Sequence, residues 1–104
     1  MVMDAVARDT VRKIVRTARP RTIVLFGSSA RLGCRKGRDL DLLVIKDGSF
    51  DRDRLLSDIY MALLDSGRAA DVILVTPEEA RRYRNEGALI ISTALTTGRV
   101  VYSA

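Results

Sequence analysis

A chain of 104 residues has room for one hydrophobic core, so residues 1–104 are expected to form a single domain. Hydrophobic residues at 47% and charged residues at 30% are the balance of a folded globular protein, which excludes a disordered chain, and no apolar run approaches a membrane span. The net charge of +5 rests on fifteen arginines against three lysines. No block of five like charges occurs, so it reads as a solvated arginine-rich surface.

Residues 1–20 mix Arg and Asp with aliphatics and lack a signal-peptide core, so the expected location is the cytoplasm. From Val6 to Ala18 the apolar residues Ala7, Val11, Ile14, Val15 and Ala18 fall on one helical face, and Pro20 is expected to end that helix. Thr22 to Phe26 (TIVLF) is β-branched and apolar and reads as a buried strand. A short helical stretch is expected over Ser29 to Leu32, then a second strand from Asp39 to Lys46 closed by the turn Asp47-Gly48.

Asp51 to Ser66 repeats helical spacing through Leu55, Leu56, Ile59 and Leu63, with Gly67 as its expected cap. Asp71 to Val75 (DVILV) reads as a third strand. Thr76-Pro77-Glu78-Glu79 has the order of a helix start: capping threonine, first-turn proline and a glutamate three places on. One helix or two broken pieces cover Pro77 to Thr97, interrupted near Asn85-Glu86-Gly87. Gly98 ends them, and Arg99 to Tyr102 adds a last short strand. The expected fold class is therefore α/β (α+β), with a small mixed sheet of three to four strands flanked by helices. A helical crossover between the second and third strands makes them parallel neighbours.

That topology brings carboxylates together. In a strand, residues i and i+2 share a face roughly 6.5 Å apart, so Asp39 and Asp41 converge at the start of the second strand. Asp71 opens the adjacent parallel strand. Three like charges at one sheet end repel each other and raise their own pKa values. Hard divalent cations resolve the conflict: Mg²⁺ takes oxygen ligands, keeps several waters and completes its shell with substrate phosphates. Two such ions roughly 3.5–4 Å apart clamp the attacking and leaving oxygens of a phosphoryl-type displacement.

Asp51-Arg52-Asp53 repeats the Asp-x-Asp pattern at a helix start, where capping and the helix dipole explain it. The first pair instead precedes the apolar run Leu42-Leu43-Val44-Ile45, where idle charge is costly. At the end of the first strand, Gly27-Ser28 lets a phosphate approach the backbone closely. The Ser28 hydroxyl can donate to it, the N–H groups opening the stretch from Ser29 favour an anion, and Arg31 can pair with one. Walker and dinucleotide-binding fingerprints are absent. Cys34 is the single cysteine and there is no histidine, so Cys–His and Ser–His nucleophilic chemistry is excluded and zinc lacks ligands.

Gly27-Ser28, ten intervening residues and Asp39-Leu40-Asp41 together resemble the signature of the DNA polymerase beta-like nucleotidyltransferases. Phe26-Gly-Ser-Ser-Ala-Arg31 and Asp39-Leu-Asp-Leu-Leu-Val44 look most like its minimal nucleotidyltransferase (MNT) branch, and the resemblance extends over essentially the whole chain. Arg38 stands where members usually have serine, and Leu32 where glycine commonly follows the Ala-Arg pair.

The resemblance implies a Mg²⁺-dependent transfer of AMP from ATP to a hydroxyl, with two metal ions. Asp39 and Asp41 would bind both ions, Asp71 would hold the catalytic ion and help deprotonate the acceptor, and Gly27, Ser28, Ser29 and Arg31 would bind the nucleotide. It also implies a partner: MNT proteins are commonly encoded beside a HEPN-type ribonuclease toxin and act as antitoxins by adding AMP to a tyrosine of it. Two other readings stay open at this point. One is a non-catalytic antitoxin that covers its partner, and the other is a nucleotidyltransferase acting on nucleic acid or a small molecule. Few aromatics argue against nucleic acid, no membrane partner is expected, and self-association is left open.

Overall fold

The computed structural model describes residues 3–27, 30, 39–86 and 89–104. Eight elements follow in order: α1 (Ala5–Ala18), β1 (Thr22–Phe26), β2 (Leu40–Ile45), α2 (Arg52–Ala62), β3 (Ala70–Val75), α3 (Pro77–Glu86), α4 (Leu89–Thr97) and β4 (Arg99–Ser103). The strands form one four-stranded mixed sheet in the order β3-β2-β1-β4. β1 pairs antiparallel with β2 and β4, while β2 and β3 run parallel through the α2 crossover. The expected α/β architecture is the one observed.

Helices cover both faces, which is why β2 is a nearly unbroken apolar run rather than an alternating one. Ile23, Leu25, Leu40, Leu42, Val44, Val72 and Leu74 pack with Ala7, Val11 and Ile14 of α1 and with Ile59 of α2. The alternate residues Val24, Phe26, Leu43 and Val75 face the other way, against Ala80 of α3 and Ile91 and Ala94 of α4. At 25 cal/mol per Å², each large side chain buried in these two layers stabilises the fold by about 1.5–3 kcal/mol.

Helix ends follow local chemistry. Asp4 caps α1, its Oδ1 accepting from the Ala7 N–H at 2.8 Å. At the other end Arg19, directly before Pro20, leaves the helical region for φ 47°; a residue preceding proline is disfavoured in α geometry. Thr76 and Glu79 form the expected reciprocal cap of α3: the Glu79 N–H donates to Thr76 Oγ1 at 3.1 Å, and the Thr76 N–H donates to Glu79 Oε1 at 2.9 Å.

The stretch Pro77 to Thr97 is two helices, one of the two forms expected for it. Two boundaries differ from expectation. β2 begins at Leu40, which leaves Asp39 just ahead of the strand. α2 ends at Ala62 rather than Ser66: the Leu63 N–H is shared between the carbonyls of Ile59 and Tyr60, and the buried Ser66 turns the chain by donating its hydroxyl to Arg68 O. Gly67, at φ 82°, lies in that turn and does not cap the helix. The short helix expected over Ser29 to Leu32 lies outside the described residues apart from Ala30, which is buried. Among the described residues, no helix is long and apolar enough to cross a membrane.

Candidate functional site

The site lies where β1 ends and β2 and β3 begin. In the parallel ladder Asp41 pairs in register with Asp71, and in the antiparallel ladder the same Asp41 pairs with Phe26. Paired residues point to the same face. Asp41, Asp71 and Phe26 therefore share the α3/α4 side of the sheet, continuing the rows that hold Leu43, Ile73 and Val75 further along. Beyond that covered region the two carboxylates meet solvent, Asp41 half-buried and Asp71 exposed.

Burial pushes the Asp41 carboxyl above the usual carboxylate range, and the negative charges of Asp71 and then Asp39 push it further in the same direction. Asp71 and Asp39 are thus each within electrostatic reach of Asp41. Asp39, although outside the strand, belongs to the cluster through its field at Asp41.

Gly27 follows Phe26 directly and has φ 73°, a conformation that side chains resist. A Cβ built on it would lie 2.6 Å from Oδ2 of Asp41. Glycine is required twice over at this position, by the backbone conformation and by the carboxylate packed against it. A phosphate seated on the Gly27 backbone is consequently next to Asp41. Ser28, Ser29 and Arg31, the other residues expected to bind nucleotide, lie outside the described residues, as do Arg38 and Cys34.

Among the described residues, no three acid, thiol or imidazole groups are gathered so as to hold a metal ion by themselves. The donor chemistry nonetheless fits Mg²⁺: the groups are hard oxygens and they carry mutually unfavourable charge. An ion that keeps waters and recruits substrate phosphates does not need an all-protein cage.

Two side chains that sequence reading did not place at the site hold β3 in position. The Tyr60 hydroxyl of α2 accepts from the Val72 N–H at 2.8 Å, one residue beyond Asp71. Arg68 lies just ahead of β3 with its side chain only 5% exposed, and it pairs with Asp4 at the start of α1. No local pattern announces either contact, because the partners are 12 and 64 residues apart in the chain.

Residues 8–98 match the family model described as the nucleotidyltransferase domain. The chain is a member of the nucleotidyltransferase-domain family. Among solved structures it is similar to a chain described as "Crystal structure of the toxin-antitoxin with AMP-PNP", with a TM-score of 0.52 and 23% identity over 92% of this chain and 73% of that one. At that identity the likeness is one of fold. No curated protein matches.

Proposed function

We propose that this nucleotidyltransferase moves AMP from ATP onto a hydroxyl of a protein partner, a tyrosine of a HEPN-type toxin, and thereby acts as its antitoxin in the cytoplasm. The observation that carries the reading is the in-register pair Asp41 and Asp71 with Gly27 packed against Asp41. Pure surface binding has no use for like charges set side by side against a glycine at positive φ, whereas nucleotidyl transfer uses both. The fold likeness to a toxin–antitoxin chain with AMP-PNP and the residues Gly27-Ser28 and Asp39-Leu40-Asp41 support the choice of partner and nucleotide.

In this reading Asp39, Asp41 and Asp71 would hold two Mg²⁺ ions. When bound, the ions supply the positive charge that offsets the three carboxylates and the triphosphate. The Gly27 backbone, with Ser28, Ser29 and Arg31, seats the triphosphate. Asp71 orients the acceptor hydroxyl and takes its proton. The hydroxyl oxygen forms a bond to the α-phosphorus, the bond from that phosphorus to the β-phosphate oxygen breaks, and pyrophosphate leaves with the electron pair. There is little covalent work for the chain itself, so positioning and electrostatics carry the rate.

The test is pyrophosphate release from MgATP with and without the proposed HEPN-type partner. Release that needs both partner and Mg²⁺, and that an Asp39→Asn, Asp41→Asn double variant lacks, is the expected result. A variant that still neutralises the partner without releasing pyrophosphate rejects catalysis in favour of simple covering.

A further inference from the structure

The entry to β3 is also the wall of a pocket. Residues 66–70 on one side, with Tyr60, Leu63 and Leu64 on the other, enclose about 420 Å³, room for one large side chain with backbone on either side. Its rim is apolar and open: Leu64 is 76% exposed, and neighbouring Met61 is 65% exposed. Contiguous exposed apolar side chains of this kind mark interaction sites.

Two features say what fills it. The first is the sheet edge. Leu40 N–H donates to Ala69 O at 3.0 Å, so in this parallel ladder Ala70, Val72 and Leu74 turn their peptide groups outward. The chain itself engages two of these: Tyr60 takes the Val72 N–H, and Arg52 donates to Leu74 O at 3.3 Å. Ala70 is the outward-facing edge residue that belongs to the pocket, and the next residue is Asp71. The second feature is the wall itself: Leu63 and Leu64 stand beside Tyr60, a lining that takes an apolar side chain.

We infer that this pocket docks the segment of polypeptide that carries the acceptor hydroxyl, an inference that rests on the protein-directed transfer proposed above. An extended stretch of the partner lays an apolar side chain between Tyr60, Leu63 and Leu64 and pairs its backbone at Ala70. It then rounds the open edge of β3 to present its hydroxyl on the face where Asp71 points. Backbone pairing to a strand edge with a pocket for one side chain is an established mode of peptide capture. The charges at the pocket are already matched: the single arginine in the wall is paired with Asp4, and Asp65, between Leu64 and Ser66, is paired with Lys13, so a polyanion gains little there.

Leu64→Glu tests this, since a residue so exposed contributes little to folding, and Ile90→Glu, an exposed position on α4, is the control. Both variants and the wild type are titrated with the HEPN-type partner and assayed for AMP transfer to it. The expected result for Leu64→Glu is a roughly tenfold weaker Kd and higher KM for the partner, with MgATP binding and kcat at saturating partner retained and Ile90→Glu unchanged. Transfer by wild type with an unchanged Kd and KM in Leu64→Glu overturns the docking inference and leaves the transferase standing. No transfer by any form removes the underlying reading, and the inference with it. A wild-type dimer that Leu64→Glu disperses assigns the pocket to a second copy of this chain instead.

Discussion

Asp41 is the residue on which the site converges, because it pairs with Asp71 in one direction and with Phe26 in the other. Its carboxyl is pushed up by burial and by Asp71 and Asp39, so without metal its ionised form opposes folding. The sign follows: for an acid whose folded pKa is raised, the folded state holds the proton more tightly, and stability declines as pH rises through the ordinary carboxylate range toward the raised value. Asp41→Asn therefore raises the metal-free melting temperature at neutral pH. It also abolishes the further rise that Mg²⁺ gives the wild type, while cutting transfer by about a hundredfold or more. Calorimetric scans with and without Mg²⁺ check both.

Two glycines separate function from folding at the same scale. Gly27→Ala forces φ 73° on a side chain and drives a methyl into Asp41 Oδ2, so it costs about 1–2 kcal/mol of stability and removes activity. At Gly98 a methyl meets the backbone oxygens of Ala94 and Leu25, at 2.3 and 2.9 Å. Those atoms cannot swing aside as a carboxylate can, so Gly98→Ala lowers stability more than Gly27→Ala does. Denaturant midpoints rank the two.

At the scale of elements, the parts legible in the sequence are those whose cause is local. The cap Thr76-Pro77-Glu78-Glu79 was readable because both hydrogen bonds close within three residues, and Thr76→Ala is expected to cost about 1 kcal/mol in urea unfolding. The parallel neighbours β2 and β3 were readable from the crossover between them, and with them the meeting of Asp41 and Asp71. What was not legible depends on contacts between distant segments. The end of α2 is set by Ser66 folding the chain back toward β3, not by Gly67. Tyr60 reads as a helix-face residue, yet its hydroxyl engages the edge strand. Arg52 reads as the middle of a helix-start triplet, yet it bonds Leu74 O and Glu79 and ties α2 to both β3 and α3. These contacts protect an edge strand that would otherwise expose its backbone along its length.

For the molecule as a whole, the sheet is a spacer between two helical layers, and the end where β2 and β3 begin is where charge collects. The ion pair of Asp4 with Arg68 joins the first helix to the entry of β3 across the chain, and that of Glu79 with Arg52 joins α3 to α2. Arg68 holds the Asp4 carboxyl below its usual range, and Arg52 does so for Glu79. For these acids the sign is opposite to that of Asp41: their stabilisation is present at neutral pH and is lost as pH falls through and below the ordinary carboxylate range. Asp4→Asn keeps a capping oxygen but loses the ion pair. Its deficit in urea midpoint against the wild type is therefore expected at pH 7 and should close toward about pH 3.

In the proposed reaction one AMP moves to one hydroxyl. Intact-mass spectrometry of the HEPN-type partner, after incubation with this chain, ATP and Mg²⁺, reads that event itself. A partner heavier by AMP units, with the mass on a tyrosine and absent when the chain carries Asp39→Asn and Asp41→Asn, is the predicted result. An unmodified partner held in a stable, neutralised complex would contradict it.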